Sequence, residues 1–330
     1  MRYVTRSYAL RFIMTLMCFW PLFGHATAPL APINYSSLHW AGSHQEWEAA
    51  TDGAPSAYYE PTQPTMIYFY YHQDIPQPLD SPTSSESNES FPTLIEYWLA
   101  QGYNVGLWPW EDDMDAADLT QAIKNYQYAL SQFRGPELRF IGHARGSTMA
   151  LWFAQQLISD WDSTNTEIEL TQIPDQIVLL EPSDSAISLP NTNTLNLAEL
   201  YQQTLMQLKA EGIVISCYLS AHKLKNATNN AARKILLEET ALIALQPQYA
   251  ETWNTTHQTL AAPWHYLRSI AFLPPDIMDD NQAALSASSP VIQIRQWMHS
   301  NAYLMQQQGN HTIDPTDDRF SAQQRNAPYQ

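Results

Sequence analysis

Glu137-Leu138-Arg139-Phe140-Ile141-Gly142-His143-Ala144-Arg145-Gly146-Ser147-Thr148-Met149-Ala150-Leu151-Trp152-Phe153-Ala154 carries the strongest signal of fold in the chain. It predicts a short apolar strand, a sharp Gly-x-x-x-Gly turn and then a helix. The small residues Gly142, Ala144, Gly146 and Ala150 stand where strand, turn and helix must approach closely.

Upstream, Thr65 to Tyr71 is a continuous β-branched and aromatic run, as expected for a strand buried on both faces of a parallel sheet. His72 to Ser90 carries loop signals, with Pro76, Pro78 and Pro82. Phe91 to Gln101 predicts a helix with Pro92 in its first turn and Gly102 at its end. Tyr103 to Trp108 is the next strand, and Asp115 to Phe133 an amphipathic helix stopped by Arg134-Gly135-Pro136. Downstream, the helix of the opening stretch runs to about Trp161. Gln176 to Leu180 and Ile213 to Leu219 predict strands, separated by a helix from Leu195 to Ala210 that Gly212 caps. Asn230 to Leu245 predicts another helix, ended before Pro247, and His265 to Leu273 a last strand cut off by Pro274-Pro275. Pro290 to His299 is the closing helix, with Trp297 on its apolar face.

Strands alternating with helices in this way predict an α/β fold, a doubly wound and mainly parallel sheet with helices on both faces. Residues 1–26 read as a signal peptide, 27–62 as an N-terminal arm, 63–303 as one domain and 304–330 as a disordered tail. Within the arm, Trp40, His44 and Trp47 suggest a short helix lying on the body.

The segment F-I-G-H-A-R-G-S-T-M-A-L-W-F-A, with the turn after the third predicted strand, resembles the strand–elbow–helix segment of the α/β-hydrolase superfamily. The likeness covers about residues 64 to 300. More narrowly, the leader, the sparse insertions and the closing segment Ile294-Arg295-Gln296-Trp297 resemble an uncharacterised bacterial family of exported α/β-hydrolase-like proteins, known only as a domain of unknown function.

That resemblance implies three groups in chain order: a serine at the elbow, an acid after a later strand and a histidine after the last. At the elbow tip stands Ala144, whose methyl group cannot attack a carbonyl. Ser147, one helical turn on, is a fallback nucleophile, with capping or packing as its ordinary role. After Leu219 the chain reads Ser220-Ala221-His222-Lys223, with no carboxylate close by; Glu181 or Asp184 after the preceding strand could substitute, although acids there are usually solvated. After Leu273 comes Pro274-Pro275-Asp276, and no histidine lies between His265 and His299. His72 and His222 are the fallback bases.

Part of the site is expected to persist. Gly142, His143, Ala144, Arg145 and Gly146 form the elbow, and the resemblance implies an oxyanion held by backbone N–H groups at the helix start, including that of Arg145. The Arg145 side chain either meets an anionic ligand there or pairs with Glu111, Asp112 or Asp113. His143 is expected to pack beneath the turn. The expectation is thus a non-catalytic binding or scaffolding protein, with a divergent esterase as the alternative and an unknown protein or small molecule as partner.

Composition narrows the remaining classes. Hydrophobic residues make up 45% of the 330-residue chain, with 11 Trp and 18 Tyr, enough to build a substantial core. Arg2, Arg6 and Arg11 precede the apolar run Phe12 to Phe23 and Gly24-His25-Ala26, a secretory pattern that predicts cleavage after Ala26, an export to the periplasm or beyond, and no stable membrane span afterwards. The chain carries −17, and losing those three arginines makes it more acidic, which disfavours nucleic acid as a partner. Only Cys217 would remain beyond the leader, too few for an internal disulfide, and its apolar surroundings predict a buried, inert thiol. The histidines lack zinc-type spacing, the Asp276, Asp279 and Asp280 cluster lacks the glycine of a calcium loop, and no phosphate-binding glycine motif is present, so no cofactor or metal is expected.

Overall fold

The computed structural model describes residues 37–42, 46–50, 56–71, 94–110, 116–164, 172–183, 196–220, 223–224, 230–246, 294–295, 298–299, 302–307 and 319–324. The expected signal peptide, residues 1–26, lies outside the described residues.

Alternation of strands and helices gives the elements β1 (His39–Ala41), β2 (Trp47–Ala49), β3 (Thr65–Tyr71), α1 (Leu94–Ala100), β4 (Asn104–Trp110) and α2 (Ala116–Ala129). They continue with β5 (Leu138–His143), α3 (Arg145–Thr164), β6 (Gln176–Leu180), α4 (Leu197–Ala210), β7 (Val214–Ser220), α5 (Ala231–Glu239), β8 (Ala241–Gln246), β9 (Ala302–Gln307) and β10 (Arg319–Gln324). The strands form one ten-stranded sheet in the order β10-β9-β8-β7-β6-β5-β3-β4-β1-β2. Neighbours from β4 through β9 run parallel, and only the pairings that involve β1, β2 and β10 are antiparallel. The chain has an α/β fold.

The central strands are mainly apolar because both faces are covered, and the polar residues they carry, among them Arg139, Gln176 and Ser216, are buried as well. Every residue of β5, β6 and β7 is buried. Strand order reverses around β3: the chain steps from β3 outward to β4, then crosses back to β5 and moves steadily the other way to β9. Such a reversal opens a crevice beyond the carboxyl ends of the strands at the switch, here β3 and β5. The usual right-handed crossover, combined with the reversal of strand order at β3, predicts α1 on the face opposite the helices that follow it; α2, α3, α4 and α5 pack in series.

One aromatic cluster fastens α2 and α3 to the sheet. Phe153 lies 5.5 Å from Phe69, 5.1 Å from Trp108 and 5.1 Å from Tyr126, ring centre to ring centre. Each such ring stabilises the fold by about 1.5–3 kcal/mol through burial alone. On α4, Leu197, Leu200, Tyr201, Thr204, Leu205 and Leu208 form the buried stripe, and an Asn196–Glu199 capping box opens the helix.

Three expectations are corrected, and a fourth falls on residues that are not described. The helix expected over Asn230 to Leu245 stops at Glu239; Thr240 donates its hydroxyl to Leu236 O at 2.7 Å, and Ala241–Gln246 turns into a strand beside β7. The run A-L-I-A-L satisfies helical and strand periodicity alike, and burial between sheet neighbours decides for the strand. The strand expected at His265 to Leu273 lies outside the described residues. The tail expected to be disordered contains most of β9 and all of β10, which pair antiparallel from Arg319↔Gln307 to Gln324↔Ala302. The short helix expected around Trp40 and Trp47 is instead a strand pair that continues the sheet beyond β4, where Trp40 stacks on Tyr59 at 4.3 Å; His44 lies outside the described residues.

Candidate functional site

The turn between β5 and α3 sits at the carboxyl edge of the sheet, next to the point of strand reversal. Two contacts explain its glycines. A Cβ on Gly142 would lie 2.4 Å from Ser147 Cα, and one on Gly146 would lie 2.2 Å from the Phe69 carbonyl oxygen on β3. Both obstacles are backbone, so only glycine lets α3 turn back this tightly over β5 and β3.

Ala144 stands at the tip with φ +50°, in the left-handed region that L residues avoid. Hydrogen bonds on both sides hold it there. Its N–H donates to Leu180 O at 2.9 Å, and its carbonyl accepts from Ser147 N and Ser183 N, each at 3.2 Å. Such strain costs about 1–3 kcal/mol and persists where the surroundings over-determine it. The sharp elbow geometry is therefore present, with a methyl group at its tip.

Ser147 is fully buried, and its hydroxyl donates to Gly142 O at 2.8 Å. It closes the turn from inside and faces backbone. His143 is buried, while Arg145 is half-buried. Arg145 and Gly146 open α3, where the helix supplies no acceptor for their N–H groups. His72, His222, Asp184, Glu111, Asp112 and Asp113 lie outside the described residues, so the pairing considered for Arg145 is not described.

The loop after β6 holds what sequence reasoning missed. Glu181 was expected to be solvated, yet it is 1% exposed, and its φ of +48° places a second left-handed residue beside the first. Its N–H donates to Tyr218 O at 2.8 Å, and its Oε1 accepts from Ser220 N on β7. Lys223 Nζ lies 2.9 Å from Glu181 Oε2 and donates to Pro182 O at 3.2 Å. The ammonium aims at the backbone carbonyls, so its contact with Oε2 is electrostatic and not a directed hydrogen bond. The Pro182–Ser183 peptide is thus gripped at both ends, its N–H by Ala144 O and its C=O by Lys223. Tyr201 on α4 seals this loop: its hydroxyl meets Thr148 Oγ1 at 3.0 Å and donates to Ser183 O at 3.3 Å.

This arrangement disposes of Glu181 as a free carboxylate that could orient a base. Its charge is balanced by Lys223, and its oxygens face β7 and that ammonium. The only sequence signal was the apolar run directly before Glu181, which carries the chain into the protein before Pro182 turns it. Cys217 on β7 is buried, and burial, with the Glu181 charge adding to it, pushes its thiol well above the usual range. Such a thiol is inert.

β8 at Ala241–Gln246 lies well before Leu273, after which a base is expected from the sequence. The segment that follows Gln246 carries His257 in sequence; these residues lie outside the described ones. Among the described residues no group of His, Cys, Asp and Glu is placed to hold a metal ion, and no helix is long and apolar enough to cross a membrane.

No protein-family model matches this chain, and no curated protein is found to be similar to it.

Proposed function

We propose that this chain is an exported protein of the α/β-hydrolase type that is silent as a serine hydrolase and acts by binding, either as a receptor for a small molecule or as a scaffold for another protein. The observation that carries this reading is Ala144 at φ +50°, at the tip of an elbow whose glycines both meet backbone. A strained turn with a methyl group at its tip keeps the shape of a nucleophile elbow and lacks the atom that would attack. Two neighbouring findings support it. Ser147 spends its hydroxyl on Gly142 O, and Glu181 is neutralised by Lys223. The export component rests on the amino-terminal sequence pattern alone.

The divergent-hydrolase alternative is supported by one observation: β8 ends at Gln246, and the segment that follows it contains His257 in sequence. It still requires a nucleophile. Hydrolysis of p-nitrophenyl acetate separates the two. The silent reading expects turnover at the rate of the buffer alone; turnover that Ser147→Ala abolishes, in a variant shown to be folded, would establish the hydrolase.

A further inference from the structure

At the amino end of β7, at the edge of the sheet opposite the elbow, a half-open cavity of about 240 Å³ is lined by Lys209, Gly212, Ile213, Arg295, Met298 and His299. We propose that it binds a small organic monocarboxylate, headgroup against Arg295 and Lys209 and short apolar body against Ile213 and Met298. This inference is independent of the reading of the elbow.

The cavity is built by the end of α4. Gly212, at φ +80°, lets the chain reverse, and the carbonyls of the last helical turn are satisfied within the chain: Glu211 N donates to Gln207 O, Gly212 N to Lys209 O and Ile213 N to Leu208 O. Those carbonyls therefore do not consume the neighbouring cations. Arg295 Nη2 donates to Gly212 O at 2.7 Å, which fixes the guanidinium and, among the described residues, leaves its other N–H groups for a ligand. Lys209 Nζ is held 2.5 Å from Glu239 Oε2 on α5, and among the described residues two of its three hydrogens remain. Both cations are thus anchored from behind, which lowers the cost of ordering them around a ligand.

Charge and size narrow the ligand class. Among the described residues, Lys209 and Arg295 outnumber the single carboxylate paired with them, Glu239, in a chain that carries −17 overall. With His299 of the lining counted as neutral, a net single positive charge among the described residues suits a monoanion, whereas Glu239 would oppose a dianion. Planar N–H donors on Arg295 match a carboxylate's two oxygens. The floor is apolar, because Ile213 is 4% exposed and Met298, whose Sδ accepts from Ile215 N, is likewise buried. The volume falls below the roughly 300–1,000 Å³ of pockets for drug-sized ligands, which points to a short chain.

Hexanoate is the probe, titrated into the purified full chain by calorimetry at low ionic strength, with chloride at matched ionic strength as the control. The expected result is saturable one-site binding that chloride does not reproduce, weakened about tenfold or more in Arg295→Gln and also weakened in Lys209→Gln. Circular dichroism checks that each variant is folded; should Arg295→Gln fail to fold because Gly212 O loses its donor, Lys209→Gln decides alone. No saturable binding, competition by chloride alone, or affinity unchanged in the folded variants would overturn the proposal.

Discussion

Replacing Gly146 by alanine sets two physical effects against each other. In an ordinary helix the change stabilises by about 1 kcal/mol, because alanine has less backbone freedom to lose. At this position the new Cβ would sit 2.2 Å from Phe69 O, 2.7 Å from Phe69 C and 3.0 Å from Tyr70 Cα. These are main-chain atoms of β3, a strand held by β4 on one side and β5 on the other, so they cannot swing away like the end of a side chain. Overpacking of a close-packed interior costs about 1–3 kcal/mol, and a backbone obstacle belongs at the upper end. The clash wins, and Gly146→Ala should lose about 2 kcal/mol. Urea unfolding followed by circular dichroism measures it as a lower midpoint at unchanged slope. Gly102→Ala is the control: that glycine has φ +80° and nothing within 4 Å of where the methyl group would stand, so it should lose only the strain of the left-handed conformation, about 1 kcal/mol. A midpoint for Gly146→Ala equal to or above that of the native protein would refute the tight elbow.

Two further outcomes follow from the ion pair and from Asp175. Glu181→Gln keeps an acceptor for Ser220 N but leaves Lys223 without its counter-charge, so it should cost about 3 kcal/mol in the same unfolding assay, much of it recovered by adding Lys223→Met; a loss below about 1 kcal/mol would show that the pair contributes little. Burial raises the Asp175 carboxyl above the ordinary range, against the stabilising hydrogen bond from Leu138 N at 2.8 Å. The folded state then holds this proton more tightly than the unfolded one, so the group's contribution is fully favourable below the unfolded value and is lost as pH rises through the raised folded value. Asp175→Asn, which still accepts from Leu138 N, should therefore gain stability relative to the native protein at neutral pH and lose that advantage in acid; a pH-independent difference would contradict the assignment.

The parts of the fold legible in the sequence are those where burial leaves a one-sided pattern. Thr65–Tyr71, Gln176–Leu180 and Val214–Ser220 are mainly apolar runs with few polar residues, such as Gln176 and Ser216, among them, as strands covered on both faces require. Gly142 and Gly146 marked the elbow because its close approaches leave no room for a Cβ. The hidden parts have physical reasons as well. Ala241–Gln246 follows directly from a helix, and its short apolar run fits either period until β7 and β9 flank it. β9 and β10 end in glutamines, and their strand character comes from pairing with each other at the sheet edge. Glu181 looked like a loop acid because the residue that neutralises it, Lys223, lies 42 positions away on the far side of β7. Pairing of that range is invisible in local sequence.

An elbow that keeps its shape without its nucleophile can be tested with a fluorophosphonate probe, applied to the native protein and to Ala144→Ser in parallel, with adducts mapped by mass spectrometry. The native protein is expected to carry no adduct; an adduct on the variant alone, mapped to the peptide that spans Gly142 to Gly146, would add that the oxyanion donors are in place. An adduct on the native protein that disappears in folded Ser147→Ala would contradict the silent elbow and make the chain a serine hydrolase.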